Sequence, residues 1–112
     1  KYFKSNQIKV IEDVYKKVGK ENNVLVIPVG LAFDIAYREI PGIKLHKDDG
    51  THPNLKGTYL AACTVFASIF KRSPLGLEYD YFGEINEEDK MMLQKIAHKV
   101  TSAFFQSGID QK

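Results

Sequence analysis

The sequence predicts a single α/β domain in which helices predominate, and three observations carry that prediction. Residues 24–29, Val-Leu-Val-Ile-Pro-Val, form a continuous run rich in β-branched side chains, which is typical of a strand buried on both faces. Residues 4–18 and 87–105 repeat apolar side chains at helical spacing. Residues 55–70 are apolar on most faces, which is typical of a helix buried between two layers.

The composition is that of an ordinary globular protein, and 112 residues suffice for one small domain. The net charge of +2 is too small to indicate binding to nucleic acid or to an anionic membrane. No apolar stretch reaches membrane-spanning length, so we expect neither kind of partner. The single cysteine, Cys63, lies among apolar residues and is expected to be a buried, inert thiol. No motif indicates a cofactor.

Turn and cap signals divide the chain into elements. Gly19 is expected to end the first helix, whose predicted inward face consists of Ile8, Ile11, Val14, Tyr15 and Val18. Pro28 is expected to end the strand, because proline cannot donate to the ladder. A short helix is predicted over residues 31–38, and the pair Pro41-Gly42 breaks it.

The two longer helices begin at predicted N-caps, Asn54 for residues 55–70 and Asn86 for residues 87–105. Gly108 is expected to end the last helix, whose predicted inward face consists of Leu93, Ile96, Ala97, Val100 and Phe104. On the helix at 55–70, a narrow solvent-facing stripe is predicted at Thr64, Ser68 and Lys71.

This arrangement leaves apolar surface without cover. A strand buried on both faces needs strand neighbours on both sides, and the chain offers at most one, a short extended stretch at residues 43–45. The apolar helix at 55–70 also needs a layer on each side. We therefore expect residues 1–112 to form a partial domain, with part of the sheet outside this chain.

The polar loop before the helix at 55–70 carries the candidate chemistry, in the run Asp49-Gly50-Thr51-His52-Pro53. A carboxylate three residues before a histidine can bend back to one ring nitrogen, where it fixes the tautomer and stabilises the imidazolium. The other ring nitrogen is then available to take a proton from a hydroxyl nucleophile. Gly50 permits the tight turn, and Pro53 stiffens the chain after the histidine.

The longer run from Asp49 to Ala62, DGTHPNLKGTYLAA, resembles the last motif block of the SGNH/GDSL hydrolases, a family of serine esterases. Residues 24–33 are similar to that family's last strand and the segment after it, and the resemblance covers residues 24–77. It implies the carboxy-terminal part of a three-layer α/β/α, flavodoxin-like fold, mostly helical in this chain.

The resemblance also implies a division of roles. His52 would be the general base, and Asp49 would orient it. The serine nucleophile and the oxyanion hole would come from blocks upstream of this chain, in the missing amino-terminal part of the same domain. The substrate would be a small-molecule ester or an acylated carbohydrate. No serine of this chain lies in a Gly-Asp-Ser or Gly-Asn-Ser setting, so the chain alone would be inactive.

Several alternatives stay open. Asp48 competes with Asp49 for the histidine, although the motif match favours Asp49. His46, Asp48, Asp49 and His52 together offer ligands for a divalent metal, but their spacing matches no metal motif that we can justify. The chain is also compatible with a non-catalytic module that binds a carbohydrate or a protein.

Two further features have ordinary interpretations beside the functional ones. His98 is expected on the solvated flank of the last helix. Tyr79, Tyr81 and Phe82 form an aromatic segment that either walls a substrate cleft or packs over helix ends, which is the commoner role.

Overall fold

A computed structural model describes residues 13–14, 16–17, 19–21 and 26–105. Three helices carry the fold there: α1 at Val29–Glu39, α2 at Leu55–Phe70 and α3 at Glu87–Phe105. No strand or sheet forms among the described residues, where an isolated antiparallel bridge joins His46 to Pro53.

The predicted α/β fold with a three-layer, flavodoxin-like sheet is therefore wrong for the described part of the chain, which is mostly helical. Residues 26–28 have no regular secondary structure, and residues 24–25 lie outside the described ranges. The Val29 N–H donates to Ile27 O at 2.9 Å, and φ −84° and ψ 57° at Pro28 make an inverse γ-turn. A β-branched run forms a strand only beside other strands, and the described residues supply none.

Helix α1 confirms the predicted short helix and extends it by two residues at the start and one at the end. Its first backbone bond runs from the Ala32 N–H to Pro28 O at 3.1 Å. The chain then turns at Pro41 and Gly42, where the Ile43 N–H donates to Ile40 O and Gly42 has a φ of 78°. A positive φ at this position is what a type II turn requires, so the predicted break after α1 is confirmed.

The predicted stop at Gly19 is wrong, because residues 19–21 are still helical. Glycine costs a helix only about 1 kcal/mol relative to alanine, and here the helix continues through it. Val14, predicted to face inward, is 52% exposed. The other inward residues predicted for this helix lie outside the described residues, as does Gly108.

Helix α2 has the predicted bounds and the predicted N-cap, since Asn54 Oδ1 accepts from the Gly57 N–H at 2.9 Å. The predicted solvent-facing stripe is wrong for Thr64 and Ser68, which are fully buried. Their hydroxyls donate to the carbonyls four residues earlier, at 2.8 and 2.7 Å, so no polar atom needs solvent. The exposed side chains near the end of α2 include Phe70, at 62% exposure, so the helix is not covered on every face.

Helix α3 also has the predicted start, because Asn86 Oδ1 accepts from the Asp89 N–H at 2.8 Å. All five residues of its predicted inward face are buried. The Lys56 and Asp89 side chains pair at 2.9 Å near the starts of α2 and α3, and Lys71 Nζ lies 3.8 Å from the centre of the Phe105 ring at their ends. The two helices therefore run in the same direction.

The core lies between the three helices. Gln94 of α3 is buried and joins the core to the connection between α2 and α3. Its amide nitrogen donates to Tyr59 Oη at 2.9 Å and to Leu77 O at 2.8 Å. Its amide oxygen accepts from the Gly76 N–H at 3.0 Å. The amide is thus satisfied inside the core, which gives this packing a defined register.

Candidate active site

The chain doubles back at residues 45–54, immediately before α2, and this segment is called the hairpin below. The Lys47 N–H donates to His52 O at 2.7 Å, and the Asn54 N–H donates to Leu45 O at 2.8 Å. Gly50, with a φ of 73°, lies at its tip. The hairpin therefore carries its polar side chains at the start of α2.

The Asp49 carboxylate meets His52 within this hairpin. Asp49 Oδ2 lies 2.6 Å from His52 Nδ1. The other carboxylate oxygen accepts from the backbone N–H groups of Thr51, at 2.9 Å, and His52, at 3.0 Å. The predicted contact between carboxylate and imidazole is present, and two backbone donors orient the carboxylate that makes it. The catalytic role of the pair stays a prediction.

These hydrogen bonds also favour the ionised form of Asp49. The bond to the His52 ring, followed by the Thr51 and His52 N–H groups, holds the pKa of the Asp49 carboxyl well below its ordinary value. An ionised carboxylate only accepts hydrogen bonds, so the hydrogen between the two side chains belongs to His52 Nδ1. In the neutral ring, the lone pair is then on Nε2. The His52 side chain is 72% exposed, which makes this nitrogen accessible.

A glycine allows the hairpin to lie directly against α2. A Cβ added at Gly57 would stand 2.1 Å from Leu45 O and 3.1 Å from Pro53 Cβ. The Leu45 carbonyl is the same group that accepts from the Asn54 N–H. Only a residue without a side chain permits this approach, so Gly57 helps to fix the position of the hairpin.

A second contact joins the hairpin to α1. Tyr37 Oη lies 2.6 Å from His46 Nδ1 and accepts from the Leu45 N–H at 3.0 Å. The His46 ring also meets the Phe33 ring edge-on, with the ring centres 5.3 Å apart. His46 is half-buried, unlike the exposed tip of the hairpin.

The alternative interpretations of the hairpin receive no support from this geometry. Asp49, not Asp48, makes the contact with His52, and Asp48 is exposed. Among the residues that the structure describes, no three His, Cys, Asp or Glu side chains come close enough together to hold a metal ion. His46 instead directs Nδ1 at the Tyr37 hydroxyl.

The serines of the described residues lie away from His52. Ser68 Oγ donates to Thr64 O inside the core, and Ser102 Oγ on α3 is buried without a hydrogen-bond partner among those residues. Ser73 Oγ lies 3.0 Å from His98 Nδ1 and accepts from the Leu75 N–H at 3.1 Å. The prediction of a solvated His98 is therefore wrong, because its ring is half-buried against this hydroxyl.

The aromatic segment before α3 is partly packed and partly exposed. The Tyr81 ring meets the Tyr59 ring of α2 edge-on, with centres 6.0 Å apart, so the packing interpretation holds for Tyr81. Phe82 is 92% exposed, and Tyr79 is 55% exposed. Tyr81 and Phe82 both have positive φ values, 57° and 59°, which is unusual for two consecutive bulky residues.

Burial removes two further groups from the candidate chemistry. It raises the pKa of Cys63 to about 11 and that of Tyr59 to about 12, so both keep their protons at neutral pH. Cys63 is buried as predicted. Clefts of about 200 Å³ between α1 and α3 and about 280 Å³ beside Gln94 contain no residue of the hairpin.

The chain matches no protein-family model, and neither the curated proteins nor the solved structures contain one that it resembles significantly. Among the described residues, no helix combines the length and the apolar character needed to span a membrane. The site must therefore be interpreted from its own geometry.

Sequence reasoning found the Asp49–His52 contact and missed two contacts between the hairpin and the helices. The first is the contact of Tyr37 with His46, which are nine residues apart and on different elements. The second is the approach of Leu45 to Gly57. A glycine in the first turn of an otherwise apolar helix was the available signal for the second contact; nothing in the spacing indicated the first.

Proposed function

We propose that this chain supplies the general base, His52, and its orienting carboxylate, Asp49, to a serine hydrolase that acts on esters. The observation that carries the proposal is the 2.6 Å bond between Asp49 Oδ2 and His52 Nδ1 at an exposed position. That bond leaves the Nε2 lone pair as the proton acceptor. A carboxylate bonded to one nitrogen of an imidazole, with the other ring nitrogen free, supplies two of the three residues of a serine-hydrolase triad.

In the proposed reaction, His52 Nε2 takes the proton of a serine hydroxyl while the serine oxygen bonds to the ester carbonyl carbon. Asp49 stabilises the imidazolium that forms. The imidazolium then gives its proton to the departing alcohol as the ester C–O bond breaks. Water then attacks the acyl-serine while His52 Nε2 takes a proton from it. The imidazolium returns this proton to the serine oxygen as the acyl-serine bond breaks and the acid leaves.

The serine and the oxyanion donors belong, in this proposal, to sequence upstream of residue 1, as the SGNH/GDSL resemblance implies. The exposure of His52 supports this, because its free nitrogen is accessible to a group from outside the described residues. The positions of Ser68 and Ser73, each bonded to other partners, support it as well. Small esters and acylated carbohydrates are the proposed substrates.

The test uses the complete gene product, p-nitrophenyl acetate as substrate and a fluorophosphonate probe that labels activated serines. The wild-type protein is expected to turn over the ester and to be labelled. His52→Ala is expected to lower kcat by roughly 100,000-fold, and Asp49→Ala by about 1,000- to 10,000-fold. Asp48→Ala, which changes the neighbouring exposed carboxylate, is the matched control and is expected to keep wild-type turnover.

Unchanged turnover in His52→Ala would overturn the proposal, and so would a wild-type protein that neither labels nor hydrolyses. The second result would favour a non-catalytic binding module. The exposed rings of Tyr79 and Phe82, whose centres lie 6.0 Å apart, are the feature that favours this alternative, because aromatic faces stack on sugar rings.

A further inference from the structure

The position of His52 depends on the other arm of the hairpin. The Lys47 N–H donates to the His52 carbonyl at 2.7 Å and the Asn54 N–H to the Leu45 carbonyl at 2.8 Å, and these two bonds pair His46 with Pro53. His46 and His52 thus lie on paired arms of one short hairpin. Any movement of the His46 arm is passed to His52 through these two backbone contacts.

The hydroxyl of Tyr37 joins the His46 arm to α1. Tyr37 Oη accepts the Leu45 N–H at 3.0 Å and lies 2.6 Å from His46 Nδ1, within hydrogen-bond distance of that ring nitrogen. The hydroxyl therefore bonds a backbone group and a side chain of two consecutive residues. The Tyr37 and His46 rings are also nearly parallel, with an interplanar angle of 8°.

We infer that Tyr37 and His46 are positioning residues, which together brace the hairpin so that His52 is held at a defined distance from the helices. The inference rests on the proposed function for its catalytic consequence. Residues 47–53 at the tip of the hairpin are all exposed, so packing against other side chains contributes little to the position of His52. The brace and the approach to Gly57 hold the hairpin from two sides, α1 and α2.

The brace makes a specific demand on residue 46, which must present a hydrogen-bonding atom at the place of Nδ1. Asparagine carries its amide group at a similar distance from the backbone and can donate or accept, so His46→Asn is expected to preserve the brace. His46→Leu fills the same space without a hydrogen-bonding group and is expected to lose it. Tyr37→Phe removes the hydroxyl and keeps the ring.

The experiment measures two quantities in the complete protein: steady-state hydrolysis of p-nitrophenyl acetate, and amide hydrogen exchange by NMR at Lys47 and Thr58. In Tyr37→Phe and His46→Leu, kcat is expected to fall by about 10- to 100-fold with KM unchanged, because misplacement of the base affects the chemical step. Exchange at Lys47 is expected to accelerate at least about fivefold, while Thr58 in α2 keeps its protection. His46→Asn is expected to restore both values, and Phe70→Tyr, at an exposed ring near the end of α2, to change neither.

The outcomes separate this inference from the proposed function. A wild-type protein without hydrolase activity overturns the proposed function, and Lys47 exchange in the variants still decides whether the brace exists. Active wild-type protein whose Tyr37→Phe variant keeps both kcat and Lys47 protection overturns the brace alone. Equal acceleration at Lys47 and Thr58 also overturns it, because that result indicates general destabilisation.

Discussion

His52 and His98 both use Nδ1 in a hydrogen bond, but their partners differ in kind. At His52 the partner is a carboxylate, which only accepts, so Nδ1 carries the hydrogen. At His98 the partner is the Ser73 hydroxyl, which accepts from the Leu75 N–H and can either donate to Nδ1 or accept from it. The carboxylate therefore fixes the tautomer of His52, whereas the hydroxyl does not fix that of His98.

His46 belongs with His98, since its Nδ1 also faces a hydroxyl that accepts a backbone N–H. A hydroxyl both donates and accepts, so neither of these contacts fixes which ring nitrogen carries the hydrogen of the neutral form. The chemistry of the partner, more than its distance, therefore decides whether Nδ1 must carry the hydrogen and Nε2 the lone pair. Among the histidine contacts of the described residues given above, the contact of His52 with a carboxylate does this.

The largest expected effect comes from Gly57, which holds the His52 region against α2 without a side chain. Gly57→Ala is expected to lower the free energy of unfolding by about 3 kcal/mol, because the new methyl group meets the Leu45 carbonyl at 2.1 Å. Urea unfolding followed by circular dichroism measures it. Thr58→Ala, at the exposed next position, is the control and is expected to stay within about 0.5 kcal/mol of wild type. Equal midpoints for the two variants would contradict the close approach.

The second effect separates the two histidines by stability. His98→Ala is expected to lower the free energy of unfolding by about 1–2 kcal/mol, because the buried Ser73 hydroxyl loses its hydrogen-bond partner. His52→Ala is expected to leave the free energy of unfolding nearly unchanged, since its ring is mostly exposed. The same urea experiment measures both. A larger loss of free energy of unfolding in His52→Ala than in His98→Ala would contradict a structural role for His98.

The smallest effect is the response of the His52 region to acid. Because folding lowers the pKa of Asp49, this carboxylate adds stability above its ordinary pKa, near pH 4, and that contribution disappears as the pH falls through the lower folded value. A carboxyl-carbon NMR titration is expected to show Asp49 ionised well below pH 4 in the wild-type protein. In His52→Ala its pKa is expected to rise toward the ordinary value, whereas Asp48→Asn should leave it unchanged. An Asp49 that titrates normally in the wild-type protein would contradict the ionised pair.

The sequence predicted the three described helices and both asparagine caps, because periodicity and capping are local properties. The contact of Asp49 with His52 was predictable for the same reason, since three residues on a glycine-containing turn place the groups within reach. Whether residues 24–29 form a strand, in contrast, depends on contacts with residues distant in the sequence. A strand needs partners, and the run of β-branched residues could not indicate whether they are present.

The long-range part of the site escaped prediction for a related reason. Ser73 and His98 are 25 residues apart, and their contact depends on how the connection before α3 folds onto that helix. The buried stripe of Thr64 and Ser68 was misassigned because each hydroxyl bonds its own helix. The polarity of these two residues therefore did not indicate that they are exposed. Helical periodicity could reveal neither the contact of Ser73 with His98 nor the burial of Thr64 and Ser68.

The two consecutive residues with positive φ, Tyr81 and Phe82, affect the susceptibility of this chain to proteolysis. An aromatic side chain that is 92% exposed, on a tight turn between two long helices, is a natural cleavage site for a chymotrypsin-like protease. Cleavage after Phe82 would separate α3 from the rest of the covalent chain. The Gln94 hydrogen bonds and the pair of Lys56 with Asp89 cross that point, so the nicked halves would stay associated until a denaturant parted them.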